Sequence, residues 1–226
     1  MYQAGQGFFD DYINKYMKIK ANSTGAIRTL AKLFLNNLYG KFGTKCEQAE
    51  KIPYIGDDDL LHFRLTEIHD KPAVYIPIAA FITAYSRRFT IKAAQQNYEI
   101  FCYADTDSIH CLDTPTGITV HNSDLCAWKI ESEWNEAQFV RQKTYAERLD
   151  ICGPGEFLDI KCAGMVEESK KELIHMINRG EKTIEDFDIG LVIPGHKLRP
   201  MQAKGGVILV ETDYTLHEGN YILSFS

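Results

Sequence analysis

The sequence predicts an α+β fold with antiparallel sheet, on three observations. Its first 39 residues carry apolar side chains at helical spacing. Its middle carries short apolar runs that meet at polar turns, and its tail places one more helix ahead of further strands. No internal repeat or low-complexity segment interrupts the pattern.

Phe8, Phe9, Tyr12, Ile13, Tyr16 and Met17 recur at spacings of three and four, which predicts a first amphipathic helix ending in the basic residues Lys15, Lys18 and Lys20. Asn22, Ser23 and Thr24 offer a side-chain cap for a second helix that runs to Tyr39 and stops at Gly40. Residues 41 to 80 break into short pieces. LLHFRLTEI (60 to 68) partly alternates and AVYIPIAAFI (73 to 82) is bracketed by Pro72 and Pro77, which predicts a ribbon of short strands. The helical pattern resumes from Thr83 to Gln96.

EIFCYADTDSIHCLD (99 to 113) then reads as two strands joined by a short polar turn. A mixed helical and extended stretch covers 123 to 140, with Trp128 and Trp134 as packing residues, and strands follow at 143 to 152 and 156 to 163. VEESKKELIHMIN (166 to 178) is the tail helix, ended by Gly180, before strands at 205 to 212 and 221 to 226.

Composition narrows the class without naming a function. A chain of 226 residues buries a substantial core as one or two domains, and 45% apolar with 25% charged residues excludes a disordered chain. No run approaches 18 apolar residues, and the opening MYQAGQGFFDDYINKYMKIK lacks a signal-peptide core. The expectation is a soluble protein of the cytoplasm with no membrane partner. Cys46, Cys102, Cys111, Cys126, Cys152 and Cys162 form no CxxC pair, and the seven histidines show no metal-ligand spacing, so zinc is not expected. A net charge of −6 excludes a uniformly basic nucleic-acid coat, yet it is compatible with an acidic metal centre beside a local positive groove.

Two constellations carry chemistry. On the second helix, Arg28, Lys32, Asn36 and Tyr39 fall within roughly 80° of one another at 100° per residue, opposite an apolar arc of Ile27, Leu30, Ala31, Phe34, Leu35 and Leu38 expected to form the core stripe. Two cations, an amide and a ring in one row suit a nucleoside triphosphate; a solvated helix face explains the same spacing. In the turn, Asp105 and Asp107 are separated by one residue and in extended geometry lean to the same side. Carboxylates so close repel unless a cation sits between them, and Mg²⁺ suits hard oxygen ligands shared with substrate phosphates. A hairpin whose Asp and Thr merely cap backbone groups is the other reading.

At these residues the chain resembles a known family. LAKLFLNNLYGKFGT (30 to 44) is similar to the Lys-x-x-x-Asn-x-x-Tyr-Gly motif of family B DNA polymerases, and YADTDS (103 to 108) to their Tyr-x-Asp-Thr-Asp-Ser motif. QKTYAERL (142 to 149), FITAYSRR (81 to 88), KCAGM (161 to 165) and HKLRPMQAKGGVILV (196 to 210) resemble, in matching order, segments of the protein-primed, phi29-like branch found in small tailed phages. The resemblance implies a partial right-hand polymerase. Fingers helices would occupy 1 to 42, an inserted β ribbon 43 to 78, an antiparallel palm sheet bearing the metal hairpin 79 to 160, and a small β-rich thumb 161 to 226.

It also implies roles for residues. Asp105 and Asp107 would ligate catalytic Mg²⁺ in a two-metal site. Lys32 would bind triphosphate, Lys20 would add a second contact from the foot of the fingers, and Asn36 and Tyr39 would shape the pocket, with Tyr39 excluding a ribose 2′-hydroxyl. Arg28 lies in the same nucleotide-binding row. Thr83 and Arg87 would touch template or primer, and Lys143 and Tyr145 would steady the primer terminus. The implied partners are primer-template DNA, deoxynucleoside triphosphates and a terminal protein primer.

The family's third carboxylate belongs to a segment of the form Asp-x-x-Ser-Leu-Tyr-Pro, which this sequence does not contain. The resemblance therefore implies an upstream polymerase segment or a second chain that completes the two-metal site. A catalytically inactive DNA-binding or interaction protein on the same fold is the alternative.

Overall fold

A computed structural model of the chain describes residues 7 to 70, 75 to 122, 124, 126 to 149 and 157 to 219. The chain divides into two compact units, one formed by Met1–Glu50 with Thr66–Trp128 and the other by Lys51–Leu65 with Lys129–Ser226.

In the first unit, α1 (Asp10–Asn22) and α2 (Gly25–Gly40) form an antiparallel hairpin. Asp10 and Asp11 in the first turn of α1 and Lys20 in its last complement the helix dipole. Tyr16 stacks on Phe34 at 4.8 Å, and the Tyr12 hydroxyl donates to the Phe34 carbonyl at 3.2 Å. The expected side-chain cap is not made. Thr24 occupies the N-cap position in extended geometry without a side-chain hydrogen bond, and the reversal rests on Gly25 at φ +58. The expected core stripe of α2 is also not buried as a stripe: Ala31 is 2% exposed, but Ile27 is 60% and Leu30 53% exposed. The reason is that a helix buries only the strip its neighbours cover, and the hairpin covers a narrow one.

After a short 3₁₀ turn (Lys41–Gly43), β1 (Glu47–Gln48) pairs with β4 (His69–Asp70) at the base of the expected ribbon. Its outer ladder pairs β2 (Lys51–Ile55) with β3 (Leu61–Leu65) and belongs to the second unit. The stretch around Pro77 is not a strand. α3 runs Ile76–Gln96, and Pro77 falls in its first turn, where a missing N–H costs no helical hydrogen bond. The 3₁₀ turn comes close to α3: a Cβ on Gly43 would sit 3.2 Å from that of Ala79.

α3 packs on the hairpin of β5 (Phe101–Asp105) and β6 (Ser108–Cys111), the two strands expected around the polar turn. Asn97, 5% exposed, ties the far end of α3 to the following loop, donating to Thr116 O at 3.1 Å and accepting from Thr116 N at 2.7 Å. Trp128 stacks on Phe89 at 5.2 Å. No helix forms among the described residues of 123 to 140.

The second unit holds most of the buried apolar side chains among the described residues. β7 (Trp134–Arg141), β8 (Thr144–Leu149) and β9 (Phe157–Cys162) make a three-stranded antiparallel sheet, and α4 (Glu167–Asn178) lays Leu173 and Ile177 into the core with Leu158, Ile160, Phe187 and Ile193. β10 (Val192–Ala203) pairs with β11 (Gly206–Thr215), with a bulge between Ile193 and Lys197. Sequence pattern misses β10 because Pro194, Pro200 and scattered charges mask it. In a two-stranded ribbon every strand is an edge, where proline is tolerated, and Pro200 sits opposite Leu209. The expected strand at 221 to 226, together with Cys152, lies outside the described residues. No helix among the described residues is long and apolar enough to cross a membrane.

Candidate active site

On α2, Arg28, Lys32, Asn36 and Tyr39 are all solvent-exposed. From Arg28 to Tyr39 the row extends about 16 Å along the axis at 1.5 Å per residue. Lys20, half-buried in the last turn of α1, lies at the closed end of the helix hairpin, whereas Tyr39 lies at the open end toward the 3₁₀ turn. The row thus presents cations over its closed half and an amide and a ring over its open half.

The turn between β5 and β6 is tighter than extended geometry allows. Asp105 ends β5 opposite Ser108, and the Asp107 N–H reaches back to the Asp105 carbonyl at 2.6 Å across Thr106, whose φ is +53. This is a γ-turn of the uncommon positive-φ kind, a strained form for a β-branched residue. The relation between the two carboxylates therefore comes from this turn and not from strand alternation. Asp105 is half-buried and Asp107 exposed. The Thr106 hydroxyl donates to Asp105 Oδ1 at 2.9 Å, and the Ser108 hydroxyl donates to the Asp105 carbonyl at 3.1 Å.

Burial pushes the thiols of Cys102 and Cys111 on the flanking strands up from the usual range, Cys111 further through its neighbour Cys102. Both thus favour the thiol over the reactive thiolate.

Thr83 and Arg87 sit one turn apart on α3, with Thr90 following on the same face. The Thr83 hydroxyl turns back to its own helix, 3.0 Å from Ala79 O and 2.9 Å from Ala80 O, while Arg87 is exposed. Thr90 was not singled out by sequence, although its spacing of seven and three from Thr83 and Arg87 was a usable signal. It is 7% exposed, and its hydroxyl lies 3.2 Å from the Thr106 carbonyl.

Lys143 and Tyr145 belong to the second unit. Lys143 is exposed in the β7–β8 turn with φ +57, and its carbonyl accepts from Ala163 N at 2.9 Å, which fastens the turn to the end of β9. Tyr145 is half-buried on β8, with its ring 5.8 Å from that of Phe139.

The donor set at 105 and 107 consists of carboxylate oxygens, which suits a hard divalent ion that keeps its remaining positions for water and phosphate. No group of three or more His, Cys, Asp or Glu able to hold a metal exists among the described residues. Asp159, in the second unit, is engaged by Lys161 at 2.9 Å.

Comparison with known proteins gives the family of the chain. The DNA polymerase of Bacillus phage phi29 is 38% identical over 95% of the chain, and that of Bacillus phage PZA 37% identical over 95%. In each case the chain spans 39% of the relative's length. Among solved structures, phi29 DNA polymerase complexed with primer-template DNA and incoming nucleotide substrates matches with a TM-score of 0.83 and 39% identity, over 95% of this chain and 38% of that one. A family model described as DNA polymerase type B, organellar and viral, matches residues 1–123, the stretch that holds both the α2 row and the Asp105–Asp107 turn. With more than half its length under that model and a homologous fold across nearly all of it, the chain belongs to the type B, organellar and viral, DNA polymerases.

Proposed function

We propose that the chain is the nucleotide- and metal-binding portion of a DNA-directed DNA polymerase that adds deoxynucleotides to a primer 3′-hydroxyl in a Mg²⁺-dependent reaction. The observation that carries the reading is that one unit holds both the exposed Arg28–Lys32–Asn36–Tyr39 row and a tight turn bearing two carboxylates.

In this reading α1 and α2 are the fingers. Lys32, with Arg28 and Lys20, holds the triphosphate tail as point charges, and Asn36 and Tyr39 shape the sugar pocket. Asp105 and Asp107 hold Mg²⁺. When bound, a pair of such ions lowers the pKa of the attacking hydroxyl and steadies the leaving pyrophosphate. An upstream polymerase segment or second chain supplies the remaining carboxylate. Thr83 and Arg87 contact template or primer, and Lys143 and Tyr145 hold the primer end, Lys143 against a phosphate. The ribbon, which ends before α3 begins at Ile76, and the thumb-like region from 161 enclose primer-template DNA. Contacts within the second unit support that enclosure: the Gln202 side chain meets the backbone N–H and C=O of Leu61, and Gly205 N donates to Asp59 O at 2.7 Å. The branch points to a terminal protein as primer and to the cytoplasm of a phage-infected bacterial cell.

The test is template-directed addition of radiolabelled deoxynucleotides in Mg²⁺, with the chain mixed with a segment that carries the Asp-x-x-Ser-Leu-Tyr-Pro strand. Addition that disappears in Asp105→Asn and in Asp107→Asn is the expected result. No addition in any such mixture would sink the proposal.

A further inference from the structure

The strained turn raises a question of support. Thr106 is β-branched and sits at φ +53, where such residues are rarely stable by themselves. Persistence of that backbone requires surroundings that over-determine it. The contacts on the turn include three hydroxyls. Those of Thr106 and Ser108 come from the turn's own residues and bond to Asp105. The third comes from α3, the only one of the three that ties the turn to a rigid element outside the hairpin.

That third hydroxyl belongs to Thr90. It is shielded from water at 7% exposure, so its proton needs a protein acceptor. Two carbonyls are in reach, Thr106 O at 3.2 Å and Ser86 O at 3.4 Å. The bland role for a helical threonine is to bond back to the carbonyl four residues earlier. Here that carbonyl is the longer contact, and it already accepts the helical N–H of Thr90 itself. The hydroxyl has one proton to give, and the shorter contact leads to the peptide that joins Thr106 to Asp107.

We propose that Thr90 is a positioning residue for the metal turn: its buried hydroxyl holds the Thr106 carbonyl, and through it the γ-turn that sets the spacing of the Asp105 and Asp107 carboxylates. The proposal rests on the reading of those carboxylates as metal ligands. It assigns to α3 a second duty. The same helix face that carries Arg87 toward nucleic acid fixes the turn beneath it, so the register of Thr83, Arg87 and Thr90 links the two tasks by one and two helical turns.

The experiment uses the full chain with Mn²⁺ alone as probe, free ion being counted by electron paramagnetic resonance. Thr90→Val keeps shape and removes the hydroxyl; Thr90→Ser keeps the hydroxyl; Asp107→Asn reports on the site itself. Far-UV circular dichroism verifies equal helix content. The expected result is that the parent binds Mn²⁺, Asp107→Asn loses it, Thr90→Val weakens it on the order of tenfold, as loss of groups that orient ligands does, and Thr90→Ser binds as the parent does. A second readout needs no metal: amide hydrogen exchange at Asp107 accelerates in Thr90→Val and not in Thr90→Ser. Parent-like Mn²⁺ affinity and parent-like exchange in Thr90→Val would overturn the role of Thr90 and leave the metal reading standing. Equal loss in Thr90→Ser and Thr90→Val also overturns it, since packing and not the hydroxyl would then be the cause. A parent chain that binds no Mn²⁺, or binds it unchanged in Asp107→Asn, defeats the metal reading and this proposal together.

Discussion

At the scale of single residues, charge placement and backbone torsion decide what the site can do. Lys32 stands exposed on α2 with a compact charge on a flexible stem. Its replacement by Ala is expected to raise the KM for deoxynucleotide by roughly 10- to 100-fold, the equivalent of one charged hydrogen bond of about 1.5 to 3 kcal/mol; steady-state kinetics of the completed polymerase checks this. The thiols give a pH-linked test. Because burial raises the pKa of Cys102 and Cys111, their thiolate fraction at pH 8 is small, while Cys126 is exposed. Alkylation followed by mass spectrometry should label Cys126 ahead of Cys102 and Cys111, and their lag should shorten as pH rises. The aspartates themselves were legible in the sequence, because two acids one residue apart at a polar turn between apolar strands form a local pattern. The backbone that relates them was not. A positive φ at Thr106 and a hydroxyl reaching it from position 90 are tertiary facts, and only helical spacing hinted at the second.

Elements were legible where a local signal and the tertiary environment agree. α1, α2, α4 and the β5–β6 hairpin follow from apolar spacing and turn residues. Two failures have one physical source, proline. Pro77 reads as a strand flank but opens α3, and Pro194 with Pro200 disguises β10, because proline excludes only positions that need its N–H. A third failure concerns burial. The apolar arc on α2 follows from sequence, whereas what covers it depends on neighbours that sequence does not show. The α1–α2 reversal supplies the prediction at this scale. With Gly25 at φ +58 and nothing within 4 Å of an added Cβ, Gly25→Ala meets no clash and suffers only backbone strain. The expected cost is about 1 to 2 kcal/mol, seen as faster hydrogen exchange in α1 and α2 with α4 unchanged.

Across the whole chain the two units differ in what stabilises them. Buried apolar side chains concentrate in the second unit, while in the first the buried set among the described residues is Ala31, Ala93, Thr90 and Asn97. Urea unfolding followed by residue-resolved hydrogen exchange should therefore show β8, β9 and α4 protected beyond the loss of α1 and α2. Within the second unit, Gln202→Ala removes both side-chain bonds to Leu61, and the completed polymerase should then release template sooner, with shorter products per binding event in a trap-limited extension assay. The form of that contact has a consequence of its own. Gln202 Nε2 donates to Leu61 O at 3.0 Å and its Oε1 accepts from Leu61 N at 3.3 Å, so the amide grips both backbone groups of one residue and no side chain. A latch of this type does not read the side chain at position 61, and the Gly205 N–H to Asp59 carbonyl bond beside it is likewise main chain to main chain, so residues 59 and 61 can vary in side chain while the two segments stay joined.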